Sequence, residues 1–280
     1  MNRNFIQMLQ KKWDEGKFVC VGLDSELSKI PKFLLSSQGS NSAVIAFNKE
    51  IVEATADLVC AYKPNSAFYE ALGSGGPAVL RAVIEHIKNF APDVPIILDA
   101  KRADIGYTNS GYVDALNYLG ADAITVHPYL GQAAMKPFLE LKDKGVIVLC
   151  RTSNLGAGEF QDLPTVSGRK VYQVVAENVA TRWNSNGNCA VVVGATYPDE
   201  LAQVRSIVGD LPILIPGIGA QGGEVEKTVK AGRDSQGKGM IINSSRGIIF
   251  ASEEDDFAQV ARLKTVELQE QVTQFNQGGS

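Results

Sequence analysis

The stretch PIILDAKRAD, residues 95–104, is a short apolar run that ends abruptly in charge. An unbroken apolar run, as opposed to an alternating one, buries both faces of a strand, which is the mark of a parallel sheet. Its charges come only at the C-terminal end, where Asp99 and Lys101 close the run and Asp104 follows in the turn. Residues two apart on a strand share a face, so Asp99 and Lys101 point the same way. A carboxylate and an ammonium in such a place are tolerable only when paired.

Working outward, the same kind of run recurs. FVCVGLD ends at Asp24 and LVCAYKP near Lys63; AITVHP surrounds His127; VIVLCRT ends near Thr152 and AVVVGA at Ala195; PILIPGI ends near Ile218 and GMIINSS near Ser245. With residues 95–101 these make eight, and the segments between them have helical character, as at 43–56, 78–90, 170–183 and 200–208. Strands alternating with helices give βαβ units and a parallel sheet. Eight units in 280 residues match an α/β class, single-domain (β/α)8 TIM barrel over residues 1–280, with a doubly wound open sheet as the alternative. No Pro/Ser linker marks a second domain. Phe5, Met8, Leu9 and Trp13 fall at helical spacing, so a short N-terminal helix should plug one end of the fold. The terminal NQGGS reads as a disordered tail. The longest irregular stretch, residues 153–168, has the length of a binding loop or lid.

Composition excludes several classes. Hydrophobic residues make up 45% and charged residues 21%, with a net charge of -4, ordinary for a soluble protein and no invitation to nucleic acid or an anionic membrane. No run reaches the roughly 20 apolar residues of a membrane span, nor does the N-terminus read as a signal peptide. Cys20, Cys60, Cys150 and Cys189 lie apart in apolar runs without a CxxC, as expected of buried thiols in a reduced cytoplasm. His86 sits in a helical segment and reads as a surface residue; His127, in TVHPY, reads equally as a core residue. No HExxH or paired His points to a metal, and no G-x-G-x-x-G follows the first run. The expectation is an enzyme without metal or organic cofactor.

A barrel keeps its active site at the C-terminal ends of its strands, and there this sequence places Asp24, Lys63, Asp99, Lys101, Arg151 and Arg246. Lys63, Asp99, Lys101 and Asp104 can form an alternating chain of two ammoniums and two carboxylates, in which the carboxylates favour protonated lysines. PGIGAQGG (216–223) and NSSRG (243–247) follow runs seven and eight, the usual phosphate site of this fold. Arg246 can add a bidentate contact there.

D-x-K-x-x-D, read as Asp99, Lys101 and Asp104, resembles the orotidine 5′-phosphate decarboxylase family, and LDAKRADIGYT (98–108) looks like the signature of its longer bacterial-type branch. Asp24, Lys63, CRTSN with Ser153, PGIGAQGG with Gln221 and NSSRG with Arg246 match the remaining family positions in order. The resemblance implies conversion of orotidine 5′-monophosphate to uridine 5′-monophosphate and CO2 in pyrimidine synthesis, with no cofactor. Lys101 would stabilise and protonate the carbanion, and Asp99 would lie against the departing carboxylate. Lys63 and Asp104 would complete the charge chain, with Asp24 and Lys63 on the ribose. Ser153 would read the pyrimidine, and Gln221 and Arg246 would hold the phosphate. It further implies a cytoplasmic homodimer in which Asp104 and Thr108 reach the neighbouring subunit's site. Two other readings stand beside it: a Mg2+-dependent sugar-phosphate aldolase or decarboxylase of the same barrel, against which CRTSN argues, and a non-catalytic nucleotide-binding protein, which has no need of so costly a charge cluster.

Overall fold

A computed structural model describes residues 3–218 and 222–277. Each of the eight apolar runs forms a strand: β1 (Val19–Leu23), β2 (Val59–Pro64), β3 (Ile97–Arg102), β4 (Ala123–Val126), β5 (Gly145–Arg151), β6 (Cys189–Val193), β7 (Ile213–Pro216) and β8 (Met240–Ser244). All pairings are parallel, in the order β2-β1-β8-β7-β6-β5-β4-β3. The two end strands also meet, because the Tyr62 amide donates to the Pro95 carbonyl at 3.0 Å and bridges join Tyr62 with Ile96 and Asn65 with Asp99. The sheet thus closes into a TIM barrel. Val and Ile dominate its interior, and the residues of β1, β2 and β6 are buried throughout, as strands covered on both faces require.

Helices α1 (Phe5–Asp14), α2 (Lys32–Gln38), α3 (Ser40–Thr55), α4 (Ser66–Glu70), α5 (Gly76–Phe90), α6 (Gly106–Leu119), α7 (Gly131–Leu139), α8 (Gly158–Gln161), α9 (Val171–Asn178), α10 (Pro198–Val208), α11 (Gly222–Gly232), α12 (Arg246–Ile249) and α13 (Phe257–Gln277) occupy the connections. The segment expected to be helical over 170–183 changes character midway: after α9 the turns widen to a π-helical stretch, Val179–Trp183. α1 does plug one end. Phe5, Leu9 and Trp13 are buried, and the Trp13 indole donates to the Met240 carbonyl at 2.8 Å, at the start of β8. A Cβ on Gly145, the first residue of β5, would collide with the Phe5 ring. The plug therefore lies at the N-terminal ends of the strands and leaves the other end to the charged residues.

Two expectations need correction. Asn276 and Gln277, read as part of a disordered tail, complete α13, and Asn276 donates to the Gly237 carbonyl at 2.7 Å; residues 278–280 lie outside the described residues. The stretch 153–168 is not irregular throughout. It holds a 3-10 turn (Leu155–Ala157), then α8, then a tight reversal closed by an antiparallel bridge between Pro164 and Lys170.

Candidate active site

β3 and β4 do not pair evenly. Leu98 stands opposite Ile124, but Arg102 stands opposite Val126, so β3 advances four residues while β4 advances two. The surplus forms a bulge that twists the strand and re-aims its side chains. Lys101 sits in this bulge at φ +48°, with Ala103 beyond it at φ +130°; such backbone costs about 1–3 kcal/mol per residue and survives only where its surroundings enforce it. Asp99 and Lys101 do meet, though on a distorted backbone and not on the regular strand assumed from their spacing.

The cluster they build is compact. Lys101 Nζ donates to Asp99 Oδ1 at 2.7 Å, and Lys63 Nζ, from β2, donates to Asp99 Oδ2 at 3.0 Å. Lys63 Nζ also lies 3.8 Å from Asp24 Oδ1, at the end of β1. The Thr125 hydroxyl, on β4, donates to Asp99 Oδ1 at 2.8 Å. Burial opposes the Asp99 charge, but Lys63, Lys101 and these hydrogen bonds outweigh it and hold the carboxyl well below the usual carboxylate range. Burial likewise opposes the Lys63 ammonium, yet Asp99 and Asp24 hold it above the ordinary lysine range. Both groups are therefore charged at neutral pH. Lys63 is buried, whereas the Lys101 side chain is half exposed at 49% and faces the opening.

That opening is a cavity of about 790 Å³ whose lining includes Asp24, Lys63, Asp99 and Lys101 together with Ser153, Ser245 and Arg246. Ser153 is placed by close backbone approach: a Cβ at Gly194, after β6, would come within 2.6 Å of the Ser153 Cβ. Gly22 has the same role for Ser245, whose hydroxyl takes the space of the missing side chain. Arg246 opens α12 and has no ion pair or side-chain hydrogen bond among the described residues. Two buried acceptors in the cavity lining, Asp24 Oδ1 and Asn243 Oδ1, have no hydrogen-bond partner among the described residues. Buried polar atoms left this way mark places where a ligand can complete the pairing.

Not every expected residue joins the cluster. Asp104 does not line the cavity; its carboxylate accepts from the Ile105 amide at 2.6 Å, and Asn109 binds its backbone. Thr108 is exposed on the first turn of α6, also outside the cavity. Within one chain the alternating charge chain is thus Asp24, Lys63, Asp99 and Lys101. Gln221 lies outside the described residues. Arg151, placed at the mouth by its position at the end of β5, turns away: it is buried, bonds Asp162 through two nitrogens at 3.2 and 3.0 Å, and stacks 3.9 Å over the Tyr197 ring. It fastens the 153–168 segment to the barrel. His86 is not a free surface residue, since its Nε2 lies 3.2 Å from Glu53 and its ring stacks on Phe90. Two residues escape sequence reasoning. Gln161 lines the cavity and exchanges hydrogen bonds with Thr152 at 2.8 and 2.9 Å. Thr125 reads in sequence as one more β-branched strand residue, and nothing in the run AITVHP sets it apart.

Residues 17–261 match the family described as Orotidine 5′-phosphate decarboxylase / HUMPS. The chain belongs to this family. It is 49% identical over 273 residues to the orotidine 5′-phosphate decarboxylase of Janthinobacterium sp. (strain Marseille), covering 97% of this chain and 98% of that one. To the protein of the same name from Cellvibrio japonicus it is 46% identical over 271 residues, 96% of this chain and 98% of the other. Among solved structures, the OMP decarboxylase of Leishmania donovani superposes with a TM-score of 0.85 at 35% identity, covering 99% of this chain and 100% of that one. The UMP synthase of the same organism gives 0.86 at 37% identity; 98% of this chain covers 57% of it.

Proposed function

We propose that this decarboxylase-family chain, acting as a single barrel domain, converts orotidine 5′-monophosphate to uridine 5′-monophosphate and CO2 without metal or organic cofactor. The observation that carries the reading is the Lys101 ammonium, 2.7 Å from Asp99 and open to a cavity of about 790 Å³. Breaking the bond from C6 of the pyrimidine to its carboxyl group releases CO2 and leaves the electron pair on C6. A fixed ammonium stabilises that pair electrostatically and then donates its proton to the same carbon, leaving Lys101 neutral until it regains a proton from solvent. Asp99 lies against the departing carboxylate and fixes Lys101. Asp24 and Lys63 hold the ribose, Ser153 reads the pyrimidine, and Arg246 with Gln221 holds the phosphate. Binding at this remote group can offset the cost of ordering loops over the site, so it serves catalysis as well as affinity.

A Mg2+-dependent sugar-phosphate reaction fits the geometry less well. Lys63 Nζ already stands between Asp24 and Asp99, 3.8 and 3.0 Å from their oxygens, where a divalent cation using both carboxylates would have to sit. Loss of the orotate-ring ultraviolet absorbance in the presence of excess EDTA tests the proposal. A chelated protein that is dead until Mg2+ is restored would overturn it.

The working form is a homodimer in which Asp104 and Thr108 complete the partner's site. Asp104 has no place in the cluster of its own chain, and the segments that follow β3 and β4 expose Ile105, Tyr107, Tyr129 and Leu130, Tyr107 at 93%. Large apolar side chains left exposed near a site suit an interaction surface. Mixing Lys101→Ala with Asp104→Ala tests this: under two-fold symmetry one site of each mixed dimer carries both lesions and the other neither. Activity well above either parent is expected; no recovery after confirmed subunit exchange rules the shared site out. The four cysteines are buried and unpaired, which suits a reducing cytoplasm. Among the described residues no helix is long and apolar enough to cross a membrane.

A further inference from the structure

A hydroxyl offers one proton and two lone pairs, and the structure uses the Thr125 hydroxyl in both directions. Its proton goes to Asp99 Oδ1 at 2.8 Å, and its oxygen accepts the Lys101 backbone N–H at 2.9 Å. In an even parallel ladder that N–H would meet a carbonyl of β4; the bulge carries it out of register, and the side chain of Thr125 takes the carbonyl's place. The same Asp99 oxygen accepts from Lys101 Nζ at 2.7 Å. A closed ring results, running from the Asp99 carboxylate through the Lys101 ammonium, along the Lys101 side chain to its amide, and back through Thr125. Thr125 is 1% exposed, so water does not compete for these bonds.

We infer that Thr125 is a positioning residue of the reaction, whose hydroxyl locks the strained bulge at Lys101 to the Asp99 carboxylate and so aims the Lys101 ammonium at the carbon that loses CO2. The inference rests on the decarboxylase reading above. Its structural part, that the hydroxyl holds the bulge, is independent of that reading. Valine has the shape of threonine and would fill the site, but would leave the Lys101 N–H without a partner. Serine keeps the hydroxyl and loses only the methyl group.

Thr125→Val and Thr125→Ser are compared with the unaltered protein. In Thr125→Val the kcat should fall about 10- to 100-fold, the scale of a catalytic group held slightly out of place, while affinity for uridine 5′-monophosphate stays close to that of the parent and the melting temperature falls only by the few degrees that a stranded N–H costs. Thr125→Ser should regain most of the kcat. Hydrogen exchange at the Lys101 amide should quicken in the valine variant and not in the serine variant. A kcat for Thr125→Val within about twofold of the parent overturns the inference, as does a serine variant no better than valine. A loss of nucleotide affinity as large as the loss of kcat also overturns it, because a purely structural residue behaves so. An unaltered protein that fails to decarboxylate the substrate sinks the decarboxylase reading instead. In that case an unchanged Lys101 exchange rate in Thr125→Val would show separately that the hydroxyl does not hold the bulge.

Discussion

Arg205 and Arg246 lie at opposite ends of the barrel. Arg205, on α10, donates to the carbonyls of Gly232 (2.6 Å), Leu211 (2.7 Å), Gly239 (2.9 Å) and Gly209 (2.5 Å), several of them just before β7 and β8. Burial pushes its guanidinium down to about 10, against the pull of Asp234 and Asp210. Arg246, just beyond β8, is exposed and has no such partner among the described residues. The contrast extends to the neighbourhoods. At the plugged end Arg3 grips Asp122 and the carbonyls of Pro92 and Val94, and Asp122 also accepts from the Ile96 amide at 2.9 Å. Buried Lys12 pairs with Asp93 and Glu15. At the mouth Asp24 Oδ1 and Asn243 Oδ1 accept no hydrogen bond from the described residues, and Lys101 is half exposed on strained backbone. Charges whose hydrogen bonds are completed within the protein stabilise the fold. Polar groups left short of hydrogen bonds at the other end are free to pair with a ligand.

The largest effect should come from the mouth. On the proposed mechanism Lys101→Ala removes both the charge that would stabilise the carbanion and its proton donor, each worth on the order of 10²–10³ in rate, so kcat should drop by more than about 10⁴. Affinity for the product nucleotide and the melting temperature should change far less. Steady-state kinetics beside thermal unfolding checks this; a variant that keeps a tenth of the parent kcat would mean that the proton comes from elsewhere.

Arg205→Ala should do the reverse. Losing the guanidinium strands the carbonyls of the buried Gly232 and Gly239, each costing about 1–3 kcal/mol, so stability should fall by about 2–5 kcal/mol, among the larger effects of a single substitution. The kcat of the protein that remains folded should be unchanged. Denaturant unfolding gives the first number and activity per folded molecule the second. Equal damage to both would erase the distinction between the two ends.

How much of this division was legible in the sequence depends on the residue. The eight strands, the plug helix and the charges at the strand ends could be read because burial on both faces leaves a continuous apolar run that only the mouth interrupts. The bulge in β3 could not, because register is a relation between two strands and Leu98 through Arg102 carry no glycine to announce a break. Thr125 was hidden for the same reason, its hydroxyl mattering only once Lys101 is out of register. Arg151 was misplaced because position at a strand end does not decide which way a long side chain turns, and Asp162 lay eleven residues ahead to receive it. Asp104 was read correctly as a neighbour of Lys101 in sequence, but the turn after β3 carries it away from the cluster of its own chain.

Arg246→Ala sharpens the comparison of the two arginines. An exposed guanidinium contributes little to folding, so stability should stay within about 0.5 kcal/mol of the parent. Loss of a charge-assisted phosphate contact should lower kcat/KM by about 2–4 kcal/mol in free-energy terms. A substrate lacking the phosphate should scarcely notice the change. An equal loss on both substrates would place Arg246 elsewhere than at the phosphate.

The gentlest probe is acid. Burial opposes the charge on Asp99, but Lys63 and Lys101 prevail and hold its pKa well below the usual carboxylate value. A depressed pKa gives stability that is fully present above the unfolded value, about 3.9, and that is lost as pH falls from there through the folded value. Lys63, held above its ordinary range, contributes fully at every pH below that range and so stays constant in acid. The window in which Asp99 matters therefore lies below about pH 4. There the unaltered protein should lose up to about 1.4 kcal/mol per pH unit more than Asp99→Asn, which takes up no proton at that position. Asp93, also held low at the plugged end by Lys12 despite burial, is present in both proteins and cancels. Unfolding curves measured from about pH 3 to 8 should run parallel above pH 5 and converge below pH 4. If the two stay parallel into the acid, the lysines do not hold Asp99 ionised, and the mouth is no more highly charged than the plugged end it was contrasted with.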